Sequence, residues 1–338
     1  MKLKLIQVGV GGHGRGVARN FVSASLDFQF AGIVDKNPEV LREAGIELSI
    51  PEANCYTDHT LAFTELRADA VLIEAFSPAH YEIAKSAIEH GLHVLIEKPF
   101  VLQLAEAKEL VSLAEAKDRK IMINQNYRFN TTVLTLKQAL LNQPLGKPLF
   151  IESHFFCNHQ GRPYQLAMEN YILLEMTVHH VDMIRFLLET EITSVSGRTW
   201  NEPDSGYKGD PHVHAVYDTK RGIPVFYLSS LLAQGIADPW EGVWRIQCER
   251  GTIHLANLGE GYGVYTVDAE KVITKLPLVP NEFVGIHGVL AEFAQAIREN
   301  RVPRASGSDN LQTLAALFAT ADSSKLKQPI RIEDYFNN

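Results

Sequence analysis

Residues 3–21 read LKLIQVGVGGHGRGVARNF, and they join an apolar run, a glycine-rich turn and a segment whose apolar residues have helical spacing. This order predicts a strand, a G-x-G-x-x-G turn and a helix. In such a turn Gly9 permits the tight bend, Gly11 lets the backbone approach a pyrophosphate, and Gly14 lets the strand and helix pack closely. The stretch therefore predicts the first unit of a dinucleotide-binding fold, with the phosphates at the start of the helix.

An acidic residue, Asp35, follows the second predicted strand at residues 28–34 and lies 21 residues beyond Gly14. An acid at about this distance accepts hydrogen bonds from the adenosine ribose and repels a 2′-phosphate. We therefore expect NAD as the cofactor. The neighbouring Lys36 weakens this preference, so NADP is kept as a second candidate. An alternative interpretation is that Asp35 only caps the helix that follows.

Strands and helices continue to alternate up to residue 123. Apolar runs at residues 70–75, 92–96 and 121–123 predict buried strands, and the segments between them have helical spacing. This alternation predicts an α/β Rossmann domain with a doubly wound parallel sheet, spanning residues 1–123.

The tripeptide Glu97-Lys98-Pro99 ends the apolar strand at residues 92–96. Proline cannot extend the ladder because it has no N–H to donate, so the chain must turn there. Ligands of open parallel sheets bind beyond the carboxyl ends of the strands, so Lys98 is predicted to face a ligand. The alternative interpretation is a solvated loop lysine.

Beyond residue 123 the pattern changes, because strands recur without intervening helices. They are predicted at residues 150–157, 192–200, 212–217, 223–232, 243–247, 251–256 and 263–267. The pattern predicts an α+β domain with a large, mainly antiparallel sheet, spanning residues 124–338. Helices must cover one face of such a sheet, and we expect the other face to form a homodimer or homotetramer.

A helix predicted over residues 171–188 carries an acid and a histidine four residues apart. In an α-helix Glu175 and His179 would lie on one face, one turn apart. A carboxylate in that position can fix the tautomer of an imidazole and hold it as an acid–base group. Lys98, His179 and Glu175 are therefore the candidate catalytic residues, although the spacing of Glu175 and His179, taken alone, favours a plain surface ion pair.

Composition excludes several classes of partner. The 338-residue chain has a net charge of −8 and no apolar run of the ~18 residues that a membrane span needs, so we expect neither nucleic acid nor a membrane as partner. Its three cysteines form no C-x-x-C pair, which is typical of reduced thiols in the cytoplasm.

His212 and His214 alternate on a predicted strand without an evident third ligand, so we expect no metal.

Residues 77–100 read SPAHYEIAKSAIEHGLHVLIEKPF, and together with NYRF at 126–129 and LGKP at 145–148 they resemble the Gfo/Idh/MocA oxidoreductases. The hallmark of that family is a Glu-Lys-Pro at this strand end. The resemblance implies a nicotinamide cofactor with Lys98 beside the ring, Glu97 in hydrogen-bond contact with the ring or its neighbours, and a cis Lys98–Pro99 bond. The expected cofactor-binding residues are Gly9, Gly11, Gly12, His13, Gly14, Asp35, Ser77, Pro78, His80, Glu97, Lys98 and Asn126.

The resemblance also implies the reaction, which is hydride transfer between the nicotinamide and a hydroxyl-bearing carbon of a sugar, polyol or sugar derivative. His179 would be the base, and Lys98 would stabilise charge on the same oxygen, in a cleft between the domains. The family carries an aspartate where this chain has Glu175, and Thr177 stands where glycine is usual. Two alternatives stay open: an NAD-dependent glycoside hydrolase with transient oxidation, and a non-catalytic dinucleotide-binding regulator.

Overall fold

The computed structural model describes residues 1–159 and 161–337. The chain divides into two compact units, of which the first contains residues 1–126 and Glu282–Leu311. The second contains Tyr127–Asn281 and the residues from Gln312 onward. The division into domains at residues 1–123 and 124–338 stays our proposal, and the compact units assign a late segment of the chain to the first of them.

A parallel sheet, sheet A, forms the centre of the first unit, and within the described residues it has six strands. The strands are β1 (Leu3–Val8), β2 (Phe28–Val34), β3 (Cys55–Tyr56), β4 (Ala70–Ile73), β5 (His93–Ile96) and β6 (Ile121–Ile123). Their order is β3-β2-β1-β4-β5-β6, and every neighbouring pair is parallel. The strand order reverses between β1 and β4, which confirms the doubly wound Rossmann sheet.

Helices connect these strands. They are α1 (Gly12–Val17), α2 (Pro38–Leu48), α3 (His59–Glu65), α4 (His80–Glu89) and α5 (Leu104–Ala116), and the late segment adds α9 (Ile286–Arg298). Local chemistry fixes where two of them begin. The Asn37 side chain accepts hydrogen bonds from the N–H groups of Glu39 and Val40 at 3.0 and 3.3 Å, and the Asp58 side chain caps α3 in the same way.

The turn between β1 and α1 packs directly on the end of β4. Gly9 has φ +93°, and a Cβ there would lie 2.6 Å from the Glu74 carbonyl carbon. A Cβ on Gly14 would lie 2.3 Å from the Gly9 carbonyl oxygen and 2.9 Å from the Glu74 Cβ. Only glycine fits at both positions, because any side chain would separate the turn from the sheet.

The second unit is built on a larger sheet, sheet B, which has nine strands within the described residues. These are β7 (Pro148–Phe156), β8 (Ile192–Trp200), β9 (His212–Thr219), β10 (Val225–Ser230), β11 (Val243–Cys248), β12 (Gly251–Asn257), β13 (Tyr262–Asp268), β14 (Ile273–Lys275) and β15 (Ile330–Arg331). Their order is β14-β13-β12-β11-β7-β10-β9-β8-β15, with only β7 and β10 parallel. The expected large, mainly antiparallel sheet is confirmed.

The remaining helices are α6 (Thr131–Asn142), α7 (Pro163–Leu166), α8 (Val178–Leu188) and α10 (Gly307–Leu326). The helix expected over residues 171–188 is continuous in the structure, but its segment Leu173–Thr177 is π-helical and leads directly into α8. Four consecutive residues from Tyr171 to Leu174 are buried, so hydrophobic spacing does not select a single helical register there. Within the described residues, no helix is long and apolar enough to cross a membrane.

Two neighbouring glycines allow a matched test of the turn. Gly14→Ala should destabilise the protein by about 1–3 kcal/mol, because its Cβ meets backbone that cannot yield. Gly16→Ala is the control, since a Cβ there meets nothing within 4 Å and alanine favours helix. Thermal unfolding followed by circular dichroism measures both, and equal melting temperatures for the two variants would contradict the packing argument.

Candidate active site

The Asp35 carboxylate lies beside the glycine turn. Its two oxygens accept hydrogen bonds from the backbone N–H groups of Val10 and Asn37, each at 3.0 Å. The side chain that caps α2 is that of Asn37, so Asp35 does not serve as the helix cap. A Cβ built on Gly11 would lie 3.8 Å from an Asp35 carboxylate oxygen, so the acid lies next to the backbone of the glycine turn.

The Glu97-Lys98-Pro99 turn follows β5 at the carboxyl end of sheet A, and the Lys98–Pro99 bond is cis, as the resemblance implied. The Glu97 carboxylate accepts a hydrogen bond of 2.6 Å from the Asn124 side-chain amide. Glu97 keeps partial access to solvent, yet burial of the carboxyl and the nearby Glu74 carboxylate raise its pKa to about 7. Near neutral pH this carboxyl is therefore divided between its two protonation states.

Glu74, a residue that the sequence interpretation did not select, lies in the same region. Its side chain is 1 % exposed, and one oxygen is 3.0 Å from Nδ1 of His13, whose side chain is 57 % exposed. The hydrogen bond to Glu74 is the largest of the effects that raise the pKa of His13. The signal was present in the sequence, because Glu74 is the charged residue that interrupts the apolar run at 70–75.

His80, an expected cofactor contact, is buried beneath the loops that follow β4 and β5. Its Nε2 lies 2.9 Å from the Ala75 carbonyl oxygen, and its Nδ1 lies 2.9 Å from that of Pro99 and 3.2 Å from that of Phe100. Burial lowers the pKa of His80, and the carbonyl oxygens offset part of this lowering. These contacts favour a positioning role in which the His80 ring, by contacting carbonyl oxygens of both loops, holds the loops close together.

Two buried amides show that the residues around Glu97 fit a dinucleotide. Gln125 is 1 % exposed, and its side-chain atoms Nε2 and Oε1 have no hydrogen-bond partner among the described residues. The same holds for Oδ1 of Asn124. Buried polar groups are normally paired, so these atoms indicate a polar ligand. A carboxamide such as that of nicotinamide offers both a donor and an acceptor.

The structure places the other expected cofactor contacts in the same unit. Ser77 is buried at the start of the 3-10 turn Ser77–Ala79, whereas Pro78 is exposed. Asn126 is half-buried at the end of the first segment of this unit and begins the 3-10 turn Asn126–Phe129. Their contacts with a cofactor stay predictions.

In the second unit, α8 carries His179. This residue is 6 % exposed, and its ring stacks on that of Tyr127 with the ring centroids 4.3 Å apart and an angle of 19° between the planes. The next residue, His180, is fully buried: its Nδ1 lies 2.7 Å from the Tyr227 hydroxyl and its Nε2 lies 3.1 Å from the Trp240 carbonyl oxygen. Burial lowers the pKa of His180 to about 4, so this ring is neutral and structural.

Asp182, one turn further along α8, is held by a bidentate ion pair. The Arg128 guanidinium donates to its two oxygens at 2.6 and 2.7 Å, and both side chains are buried. A bidentate pair with this geometry fixes the rotation of α8 about its axis, because both partners lose most of their hydrogen bonding if the helix turns.

Glu175 lies in the π turn and not in regular α-helix. In a π turn the hydrogen bonds join residues five apart, so a spacing of four no longer establishes that Glu175 and His179 share a face. The Glu175 carboxylate lies close enough to Tyr171 to contribute to the raised pKa of that hydroxyl, whose main cause is burial. The catalytic role of Glu175 stays a prediction.

The two strand histidines considered as metal ligands differ in their surroundings. His212 is buried, lies 2.6 Å from a Glu202 carboxylate oxygen and stacks on Trp200, whereas His214 is exposed. Among residues 1–159 and 161–337, no group of three His, Cys, Asp or Glu side chains is arranged to hold a metal ion.

Comparisons with known proteins bear on this site. A model of the Gfo/Idh/MocA oxidoreductase family, described as having an NAD-binding Rossmann fold, matches residues 3–125, and the model of the family's C-terminal domain matches residues 133–254. The chain is 24 % identical over 331 residues to a D-apiose dehydrogenase from Paraburkholderia graminis, covering 94 % of this chain and 87 % of the relative.

Two solved structures share the fold across nearly the whole length. One is an oxidoreductase from Agrobacterium radiobacter in complex with NAD+, L-tartaric acid and magnesium, with a TM-score of 0.88, 22 % identity and 99 % of each chain covered. The other is an aldose-aldose oxidoreductase from Caulobacter crescentus complexed with glycerol, with a TM-score of 0.87, 17 % identity and coverage of 98 % of this chain and 100 % of that one.

The fold and the matched models define an oxidoreductase that binds NAD on a Rossmann sheet, so the expected cofactor and enzyme class are confirmed. More narrowly, the chain belongs to the Gfo/Idh/MocA oxidoreductase family, as the Glu-Lys-Pro turn indicated.

The raised pKa of Glu97 predicts how stability depends on pH. Between the ordinary value of 4.5 and about 7, the unfolded chain has lost this proton while the folded protein keeps it, so stability falls as the pH rises. Glutamine has no proton to lose, and its carbonyl can still accept the Asn124 hydrogen bond. The free energy of unfolding of Glu97→Gln, relative to the wild type, should therefore increase between about pH 5 and pH 8.

Denaturant unfolding at a series of pH values measures this difference. Glu109→Gln is the control, because Lys85 lowers the pKa of the Glu109 carboxyl and so keeps it ionised over that range. A difference between Glu97→Gln and the wild type that stays constant with pH would contradict the shifted titration.

Proposed function

We propose that this enzyme transfers hydride between NAD and a hydroxyl-bearing carbon of a polyol, sugar or sugar derivative. The observation that carries the proposal is the Glu97-Lys98-Pro99 turn at the carboxyl end of β5, in a unit whose glycine turn, Asp35 and buried amides fit NAD. A lysine at this edge of a parallel sheet is placed where ligands of this fold bind.

In the proposed mechanism, bound NAD+ supplies the hydride acceptor. Oxidation of an alcohol also requires the hydroxyl proton to leave, and we assign this step to His179, which takes the proton on a ring nitrogen. Lys98 is assigned separately: its ammonium group stabilises negative charge that develops on the substrate. Stacking on Tyr127 restricts the rotation of the His179 ring, which lowers the entropy cost of aligning it with the substrate.

The proposed substrate class is inferred from the names of similar proteins. The chain resembles a D-apiose dehydrogenase and shares its fold with an aldose-aldose oxidoreductase, and the names of both describe chemistry at sugar carbons. Glu175 and Thr177 depart from the family pattern next to His179, so we propose the class of polyhydroxylated compounds and leave the individual compound to be found by experiment.

We also propose that the enzyme self-associates through the strand face of sheet B. Phe226 and Leu228, on β10, are 42 % and 38 % exposed, and the Phe150 ring on β7 packs edge to face against Phe226. Apolar residues of this size on one exposed sheet face are typical of a contact surface. The other copy of the chain would cover them in a homodimer or homotetramer.

The cysteines support a reducing compartment. Cys55, Cys157 and Cys248 are free thiols. Burial raises the pKa of Cys157 and of Cys248 to about 11, so both stay protonated and unreactive near neutral pH. We propose that the enzyme works in the cytoplasm.

The proposed reaction is tested by a screen of polyols and aldoses with added NAD, in which the increase of NADH absorbance measures turnover. With the best compound, Lys98→Met and His179→Asn should each reduce turnover by about 10²–10⁴-fold, because each removes a positioned acid–base or charge-stabilising group. The affinity of both variants for NADH, measured by fluorescence, should stay close to the wild-type value. Lys117→Met and His90→Asn, which change exposed residues, are the controls. Wild-type turnover in Lys98→Met and His179→Asn would reject the assignment.

Mass measurement by light scattering tests the self-association. Leu228→Asp should raise the dissociation constant of the oligomer by about tenfold or more, because it places an unpaired charge in an apolar contact. Leu61→Asp makes the same change at an exposed leucine of the first unit and should leave the mass unchanged. A monomeric wild type, or equal behaviour of the two variants, would contradict this contact surface.

A further inference from the structure

The buried carboxylate of Glu74 has no role in the proposed mechanism, and its position needs an explanation. An ionised carboxylate with a side chain only 1 % exposed is costly unless it is paired. The β4 strand that precedes Glu74, from Ala70 to Ile73, is apolar and fully buried, so an apolar residue would suit the next position for packing alone.

The geometry ties Glu74 to the dinucleotide-binding turn. A Cβ on Gly14 would lie 2.9 Å from the Glu74 Cβ, so the Glu74 side chain starts directly beneath the turn. From there its carboxylate reaches His13, which stands between Gly12 and Gly14, and accepts a 3.0 Å hydrogen bond from Nδ1. The His13 side chain is 57 % exposed, so it contacts both the buried acid and solvent.

We propose that Glu74 is a positioning residue that keeps the His13 imidazole protonated and oriented at the turn, so that His13 presents a positive charge to the pyrophosphate of the dinucleotide. The inference rests on the proposed cofactor-binding role of this turn. An imidazolium attracts a pyrophosphate by its charge and can donate a hydrogen bond from Nε2, whereas a neutral imidazole whose Nδ1–H is donated to Glu74 has only an acceptor at Nε2. Loss of the His13 proton should therefore weaken dinucleotide binding.

The charged groups that act on His13 agree with this direction. The carboxylates of Glu74 and Glu97 raise the pKa of His13, while Lys98 and burial lower it, and the net shift is upward from 6.5. An imidazole whose pKa is raised in the folded protein stays protonated, and therefore charged, to a higher pH than it would in the unfolded chain. His13 therefore keeps its proton over a wider part of the neutral range, and dinucleotide affinity should fall as the pH rises through its pKa.

Calorimetric titration with ADP-ribose tests the proposal without relying on hydride transfer. This ligand has the adenosine and pyrophosphate of NAD but no nicotinamide, and its pyrophosphate stays ionised over the range studied. The wild-type dissociation constant should rise by about threefold to fivefold between about pH 5.5 and 9, the effect of losing one partly exposed charge. In Glu74→Gln the rise should begin at lower pH, and His13→Asn should bind weakly at every pH.

Two controls separate this effect from others. Glu109→Gln removes an exposed acid of the first unit and should retain the wild-type profile. Glu97 also titrates near neutral pH, so the measurement is repeated with Glu97→Gln, in which His13 should still produce a change of affinity with pH. If the substrate screen finds no activity, these binding profiles still test the role of Glu74.

The titration of His13 can also be followed directly by NMR of the histidine ring signals, with its signal identified by its loss in His13→Asn. The midpoint should lie above 6.5 in the wild type and fall toward 6.5 in Glu74→Gln. The wild-type measurement decides the question even if Glu74→Gln does not fold. A wild-type midpoint at or below 6.5, or identical binding profiles in Glu74→Gln and the wild type, would overturn the proposal.

Discussion

Close packing between the glycine turn and the end of β4 constrains the dinucleotide-binding end of the first unit. Hypothetical Cβ atoms at Gly9 and Gly14 would fall within 3 Å of atoms of Glu74 or of the turn itself. No side chain fits between these two segments, so the residue at position 74 must lie directly under the turn. The packing therefore encloses the Glu74 side chain beneath the turn, where one of its carboxyl oxygens lies 3.0 Å from Nδ1 of His13.

Three nearby positions of α8 in the second unit make different kinds of contact. His179 stacks on Tyr127, His180 fills the interior with both ring nitrogens close to polar oxygens, and Asp182 forms the ion pair with Arg128. The last two contacts are buried and directional, so they fix how far α8 is rotated and therefore where His179 points. A family pattern that records only the histidine omits the contacts that orient it.

Sequence periodicity found sheet A because each of its strands is a short apolar run bounded by turn residues, as in β5 and β6. It also found the helix at residues 171–188, but it did not reveal that the segment Leu173–Thr177 within that helix is π-helical. Glu74 was also missed as a site residue. A charge within an apolar run is a recognisable signal, but the identity of its partner depends on how the chain folds back from the glycine turn.

The sequence by itself determined the fold class, the dinucleotide-binding turn, the acid at Asp35 and the Glu-Lys-Pro turn, because each depends on local spacing or on the backbone limits of glycine and proline. Only the tertiary structure decided which charges are neighbours. The pairing of Glu74 with His13 and the raised pKa of Glu97 arise where strands distant in sequence end side by side. Burial and distance set these interactions, and neither is encoded in local sequence.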